Sequence, residues 1–370
     1  MVAFAPSAPG PLAAVPSFHR GIGGAESNVA CMLARAGHTA RWISRVGADG
    51  FGDHLLAEIA AAGVDVTAVQ RDPRRPTGVY FRTAGDRTAG DRAAGDRTAG
   101  DRAAADRASG DRSAGARAAA LPAGVSHGLE APHGPAARGG AVAPDPRPEV
   151  AYYRKGSAAS ALSPALVRRD VAWSGRVLHL TGITAALSAG CRALMTRLTH
   201  REPGRPLVSF DVNHRPALWR DADPRVLADL ARGCDLVFVG EDEAQAAWGL
   251  PDADAVRAAL PEPAVLVVKR GAAGAVAFTP EGRVEQAAPR VEVAAHVGAG
   301  DAFAAGFLSA TLRGLPPALR LRHGCLFAAA ALTVHADHAA PPPRPRLDAL
   351  AALDDADWSA LRLAPGWAES

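Results

Sequence analysis

Cysteine is scarce: the 370 residues hold Cys31, Cys191, Cys234 and Cys325, far apart and with no C-x-x-C pair. Such spacing argues against a zinc site or a disulfide framework and leaves free thiols in a reducing compartment. No apolar run approaches the roughly 20 residues needed to cross a bilayer. The opening residues, MVAFAPSAPGPLAAVPSF, are apolar but interrupted by proline and lack a basic start, so they make a poor secretory signal. A cytoplasmic protein is expected. Charge of one sign is not in excess either, with 41 basic and 38 acidic residues and a formal net charge of +3. A nucleic-acid surface needs a clustered basic excess, so neither nucleic acid nor membrane is expected as a partner.

The chain does have enough apolar residues, 48%, to bury a large core. One segment cannot contribute to it. From Gly85 the sequence reads GDRTAGDRAAGDRTAGDRAAADRASGDRSAGAR, a five-residue repeat of small residues with paired Asp and Arg. That period matches no common solenoid unit. Without large apolar side chains the segment cannot offset the entropy of ordering. A Pro- and Gly-rich stretch follows it, so residues 83–149 are expected to be a low-complexity, disordered insertion whose Asp residues cancel its Arg residues. Residues 1–82 and 150–370 then form the two parts of one domain. The insertion divides RPTGVYFR (Arg75–Arg82) from EVAYYRKGSAAS (Glu149–Ser160), which read as two strands of a hairpin with an expanded loop.

Elsewhere helical and extended patterns alternate. SNVACMLARAG (Ser27–Gly37) and GDHLLAEIAAAGV (Gly52–Val64) predict helices, and TARWISRVG (Thr39–Gly47) predicts a strand. VLHLTGI, PLVSFDVN, DLVFVG and AVLVVKRG are short, nearly continuous apolar runs between helical stretches. Strands buried on both faces have that pattern, which predicts a parallel α/β sheet covered by helices. Ligands of such sheets bind beyond the carboxyl ends of the strands, where Asp211, Asn213, Gly240, Glu243, Lys269 and Gly271 fall. His179 and Trp219 read as packing residues.

The stretch AAHVGAGDAFAAGFL (Ala294–Leu308) places a Gly-Ala-Gly-Asp turn before an apolar helix. A glycine turn opening a helix aims several backbone N–H groups at one point, and the helix dipole adds positive potential there. Such a point suits an anion, above all the charge on a phosphoryl group in transfer. Asp301 beside it can take a proton from an attacking hydroxyl. By itself the turn can equally be a helix N-cap.

Two longer stretches supply context. VGAGDAFAAGF resembles the C-terminal signature of the PfkB (ribokinase-like) carbohydrate kinases, and GGAESNVACMLARAGHTARWISRVGADGFG (Gly23–Gly52) resembles their N-terminal one. Within that family RPTGVYF, YYRKGSAASALSP, LHLTGITAALS and DVNHRPALW are most similar to 2-keto-3-deoxygluconate kinases. The resemblance covers nearly the whole chain outside the insertion. It implies a three-layer αβα sandwich with a small β-sheet lid, and an ATP-dependent kinase acting on a keto-sugar acid. It makes Asp301 the catalytic base and Gly298, Ala299 and Gly300 the anion hole. Lys269, Gly271 and Gly274 of KRGAAGA become ATP-side residues. Gly24, Asn28, Tyr80, Tyr152, Arg154 and Arg215 become substrate residues, with Asp211 and Asn213 shaping the floor. Convergent arginines suit a sugar carboxylate, which Arg binds bidentately. The resemblance also implies Mg²⁺, with Glu243 acting on it through water, and a homodimer joined through the lid.

The chain departs from the family pattern at three places. Ala295 and His296 replace an Asp-Thr pair, removing a carboxylate near the monovalent-cation site, such as one for K⁺, that some members use. Gly240 replaces the Asn of an Asn-x-x-Glu motif. The family's opening apolar strand, which belongs to the central sheet, is not found before MVAFAPS, and an upstream translation start is expected. Two other functions stand beside the kinase for a keto-sugar acid: a fructokinase or other sugar or nucleoside kinase, and a catalytically impaired sugar-binding pseudokinase.

Overall fold

The structure is a computed structural model that describes residues 1–8, 11–82, 150–220, 222–295, 297–334 and 340–369. The expected disordered insertion at 83–149 lies outside the described residues, as does His296. Strands are β1 (Val2–Pro6), β2 (Phe18–Ile22), β3 (Arg45–Gly47), β4 (Gln70–Asp72), β5 (Val79–Arg82), β6 (Val150–Tyr153), β7 (Val177–Thr181), β8 (Leu207–Asp211), β9 (Leu236–Gly240), β10 (Val265–Lys269), β11 (Ala275–Thr279) and β12 (Gly282–Gln286), with a short parallel pair, β13 (Arg290–Val291) and β14 (Arg362–Leu363), apart from the main sheets. The helices that position the site are α1 (Ala25–Arg35), α2 (Gly50–Ala61), α3 (Ala189–Thr199), α4 (Arg225–Gly233), α5 (Glu241–Trp248), α6 (Ala253–Ala259), α7 (Ala299–Leu312) and α8 (Pro317–Leu332).

The four apolar runs that read as buried strands are β7 to β10. They pair in parallel, and β11 and β12 extend the sheet antiparallel, giving the order β12-β11-β10-β9-β8-β7. Alternation along each strand sends successive side chains to opposite faces. Leu236, Phe238 and Val267 pack with α1, α7 and α8, while Val237, Val239, Leu266 and Val268 pack with α3, α4, α5 and α6. Both faces are therefore covered, which is why these strands carry no polar face. The result is the three-layer αβα arrangement expected from the sequence.

A second sheet of four strands, β2-β1-β5-β6, forms the lid. The expected hairpin is present as β5 paired antiparallel with β6, Tyr80 opposite Tyr152. The lid is tied to the main domain before β5: the carboxylate of Asp49 accepts hydrogen bonds from the Thr77 N–H and hydroxyl, both 2.8 Å, and Thr77 Oγ1 accepts from the Gly47 N–H at 2.9 Å. Tyr80 and Tyr152 face one side of this sheet, their rings 5.6 Å apart. Phe4, Phe18, Phe81 and Tyr153 cluster on the other, with Phe4 stacked on Phe81 at 4.8 Å.

One predicted strand is shorter than expected. Of Thr39–Gly47 only Arg45–Gly47 forms a ladder, with β4, and Arg41 adds a single bridge to Asp65. The other flank of this segment borders a cavity, as does the outer edge of β7, and no described strand lies between them. A strand needs a hydrogen-bonding partner to persist as one, so the segment is extended without being part of a sheet. The first strand of the chain, β1, belongs to the lid, not to the central sheet.

Candidate active site

The carboxyl ends of β8, β9 and β10 converge on the start of α7. Gly298 precedes that helix with φ 78°, in the left-handed region that glycine enters without a Cβ penalty. The first amides of the helix it opens have no intrahelical partners. Asp301 stands in the first turn but does not cap it. Its carboxylate accepts from Asn28 Nδ2 at 2.8 Å and Asn213 Nδ2 at 3.5 Å, two side chains 273 and 88 residues away in sequence. The N-cap alternative for Asp301 is thereby set aside.

Burial pushes the Asp301 carboxyl up to about 7, and the neighbouring charge of Asp211 adds to that, against the hydrogen bond from Asn28 and the charges of Arg215 and Lys269. A helix N-terminus favours a carboxylate by about 0.3–1 kcal/mol. A rise of some three pKa units corresponds to ~4 kcal/mol in the other direction, so desolvation wins. A carboxyl poised near neutrality can both hold and release a proton at physiological pH.

The two asparagines give their amide nitrogens to Asp301, and their buried Oδ1 atoms have no hydrogen-bond partner among the described residues. Such acceptors are costly unless a donor arrives. Asn213 also has φ 43°, the single positive φ among described non-glycine residues. Backbone strain of this kind persists where a side chain must be aimed.

A cavity of about 790 Å³ opens beside Asp301, lined by Gly24, Asn28, Tyr80, Tyr152, Arg154 and Arg215 together with Gly298. All six residues expected to bind substrate thus face one space, although the sequence separates them by up to about 190 positions. Arg154 lies over the Tyr152 ring, 4.4 Å from its centroid, and its buried Nε has no partner among the described residues. Burial lowers the Arg154 pKa, and the nearby Arg215 lowers it further. Two guanidinium groups that repel each other at one cavity form a ready receptor for an anion. The remaining predicted residues are placed differently. Lys269 reaches Asp211 at 2.9 and 3.0 Å and lies next to Gly300, outside the cavity lining. Gly271 begins an exposed turn after β10, and Gly274 has φ 95° with a close approach to the Gln286 carbonyl. That approach is a packing reason for the second glycine.

Glu243 is committed on both oxygens. One accepts from the Gly240 N–H at 3.0 Å at the start of α5, and the other accepts from Arg215 at 3.0 Å. No cluster of three or more potential metal-ligating side chains exists among the described residues. This donor set fits a Mg²⁺ ion carried on nucleotide phosphates and waters, with Glu243 acting at a distance, and does not fit a cage built by the protein. At the expected cation site, Ala295 carries no ligating side chain, and the N–H groups of Ala294 and Ala295 both donate to the Leu332 carbonyl.

Sequence reasoning missed Glu26. It accepts from the hydroxyls of Thr181 at 3.2 Å and of Thr184 and lines the cavity beside Arg154. An acidic residue in a first helical turn reads from sequence as a dipole partner, and only the approach of β7 to α1 shows otherwise.

An amide turn and a half-buried carboxylate at one helix start, under a small sheet lid and at the carboxyl ends of a parallel sheet, define a phosphotransferase of the sugar-kinase class. The profile of the pfkB family carbohydrate kinases matches residues 1–99 and 141–343, and the chain belongs to that family. It is similar to the 2-dehydro-3-deoxygluconokinase of Thermoproteus tenax, 31% identical over 352 residues that cover 93% of this chain and 90% of the relative. It is also similar to the enzyme of that name from Bacillus subtilis, 33% identical over 316 residues, 83% and 79% of the two chains. The crystal structure of a PfkB protein from Polaromonas sp. JS666 matches it with a TM-score of 0.70 and 30% identity, covering 94% of this chain and 96% of that one.

Proposed function

We propose that this carbohydrate kinase transfers the γ-phosphoryl group of ATP to a hydroxyl of 2-keto-3-deoxygluconate or a closely related keto-sugar acid. Asp301 is the base in this reading. It takes the proton as the sugar oxygen bonds to phosphorus, and the bond from phosphorus to the β-phosphate oxygen breaks, its electron pair leaving with ADP. The amides of Gly298, Ala299 and Gly300 hold the negative charge of the group in transfer. Mg²⁺ would neutralise phosphate charge when it arrives with the nucleotide. Asn28 and Asn213 hold Asp301 and offer their free oxygens to sugar hydroxyls. Arg154 and Arg215 receive the sugar carboxylate, with Tyr80 and Tyr152 flanking it from the lid.

The observation that carries this reading is Asp301 itself, half-buried, held by two asparagines and adjacent to the Gly298 turn. The two relatives, both 2-dehydro-3-deoxygluconokinases, support the choice of substrate. The aromatic lid face of Phe4, Phe18, Phe81 and the exposed Tyr153 suits pairing with a second lid, so a homodimer is part of the proposal. The test is ADP release with Mg²⁺, over a panel of 2-keto-3-deoxygluconate, fructose, ribose and adenosine. Turnover on the keto acid that vanishes in Asp301→Asn is expected. Preference for fructose or adenosine would overturn the substrate, and full activity of Asp301→Asn would overturn the base.

A further inference from the structure

The chain holds 41 basic side chains, and two of them are lysines, Lys155 and Lys269. Lys155 is exposed on the lid, whereas Lys269 is 15% exposed at the end of a central strand. Where nearly every other cation is arginine, the compact ammonium at this position calls for a reason. The register of the sheet supplies one. Lys269 on β10 stands opposite Gly240 on β9, and Asp211 lies on β8 beyond it, two residues earlier in that register. Parity places all three on the sheet face where α7 begins, because Val267, Phe238 and Leu207 of the same strands pack toward that side. Gly240 offers no side chain, so the lysine crosses over β9 and donates to both oxygens of Asp211, at 3.0 and 2.9 Å. Asp211 is 2% exposed in its side chain. On the other side of the ammonium is Gly300, whose α-carbon substituent would stand 3.5 Å from Nζ.

We propose that Asp211 is a positioning residue for phosphoryl transfer: its buried carboxylate anchors the Lys269 ammonium across Gly240 and against the Gly298–Gly300 turn, where phosphoryl charge develops. This rests on the reading of Asp301 as the base and of the turn as the anion hole. Lys269 is held by a carboxylate that leaves with neither substrate nor product, so its charge is in place before the nucleotide arrives and needs no reorganisation. A guanidinium is planar and wider than the compact ammonium that occupies this crossing. A lysine held in this way is worth more than a mobile one, because side-chain entropy is lost on folding and not during transfer.

The pair also sets the field at Asp301. The groups acting on that carboxylate are Asn28 through its hydrogen bond and the charges of Asp211 and Arg215 at the end of β8 and of Lys269 on β10, while Glu26 and Arg154 line the same cavity and Glu243 is paired with Arg215. Asp211 raises the proton affinity of Asp301, and Lys269 and Arg215 lower it. Removing the Asp211 charge leaves Lys269 uncompensated, and both changes act in the same direction.

The experiment is a double-mutant cycle of Asp211→Asn and Lys269→Met, with kcat, both KM values and the pH dependence of kcat/KM measured for each. Asp211→Asn is expected to lower kcat by about 10- to 100-fold, the scale of a misplaced charge donor. The sugar KM should change little, and the acid limb of the profile should move to lower pH. In the Lys269→Met background the same change should cost almost nothing more, because Asp211 acts through the lysine. The double variant loses both charges together and so folds without an orphan buried ion. Multiplying losses in the double variant, or an unmoved acid limb in Asp211→Asn, would overturn the proposal. Asp301→Asn, run in parallel, separates this from failure of the underlying reading: if that variant turns over normally, the base itself is wrong.

Discussion

Replacing Asp301 with asparagine tests the site without any substrate. The carboxyl has an ordinary pKa of 3.8 and is raised to about 7 in the folded protein by burial. A group raised in this way stabilises the fold fully below its unfolded pKa, and that contribution is lost as pH rises through the folded pKa. Asparagine keeps the shape and an acceptor for Asn28 but has no charge to bury. The variant should therefore be more stable than the parent by ~2 kcal/mol at pH 5 and ~4 kcal/mol at pH 8. The two should converge below about pH 3, where the parent's carboxyl is mostly protonated in both folded and unfolded states. Urea unfolding followed by tryptophan fluorescence at several pH values reads the difference directly, and the subtraction removes every other titrating group. Gain of stability on loss of a catalytic group is the expected exchange where a strained site does chemistry. Parallel stability curves for parent and variant, or a variant less stable at pH 8, would show that Asp301 is an ordinary ionised carboxylate and that its burial costs nothing.

Other outcomes follow from the same coordinates. Arg154→Ala removes a guanidinium with an unpaired buried Nε, and should raise KM for a sugar acid by roughly 10- to 100-fold, the scale of a charge-assisted hydrogen bond. A neutral sugar tested alongside should be affected far less, and equal losses on both would refute carboxylate recognition. Gly274→Ala puts a Cβ 2.0 Å from the Gln286 carbonyl oxygen at φ 95°, and should lower stability by about 1–3 kcal/mol in urea unfolding. An unchanged midpoint would show that the turn after β10 relaxes freely.

Sequence alone determined the layers of this fold. Runs such as VLVV (265–268) and LVFVG carry no polar side chain because both faces of their strands are covered, and that requirement is local enough to read. The glycine turn and Asp301 were legible for a similar reason, since a helix start is a matter of consecutive residues. The tertiary structure decided what Asp301 is. Its role as a capping residue or an acid held inside a cavity depended on Asn28 and Asn213, brought to it from positions far away in the chain. It also decided the partner of Lys269. Reaching Asp211 depends on the order of β8, β9 and β10 and on a glycine in the middle strand, and neither the register of a sheet nor a path across it is encoded in the spacing of the residues involved. Glu26 followed the same rule, an acidic residue at a helix start until Thr181 at the end of β7 and Thr184 just after it were placed against it. Local patterns depend on backbone geometry that repeats within a few residues, whereas electrostatic partners depend on distances that only the packed chain defines.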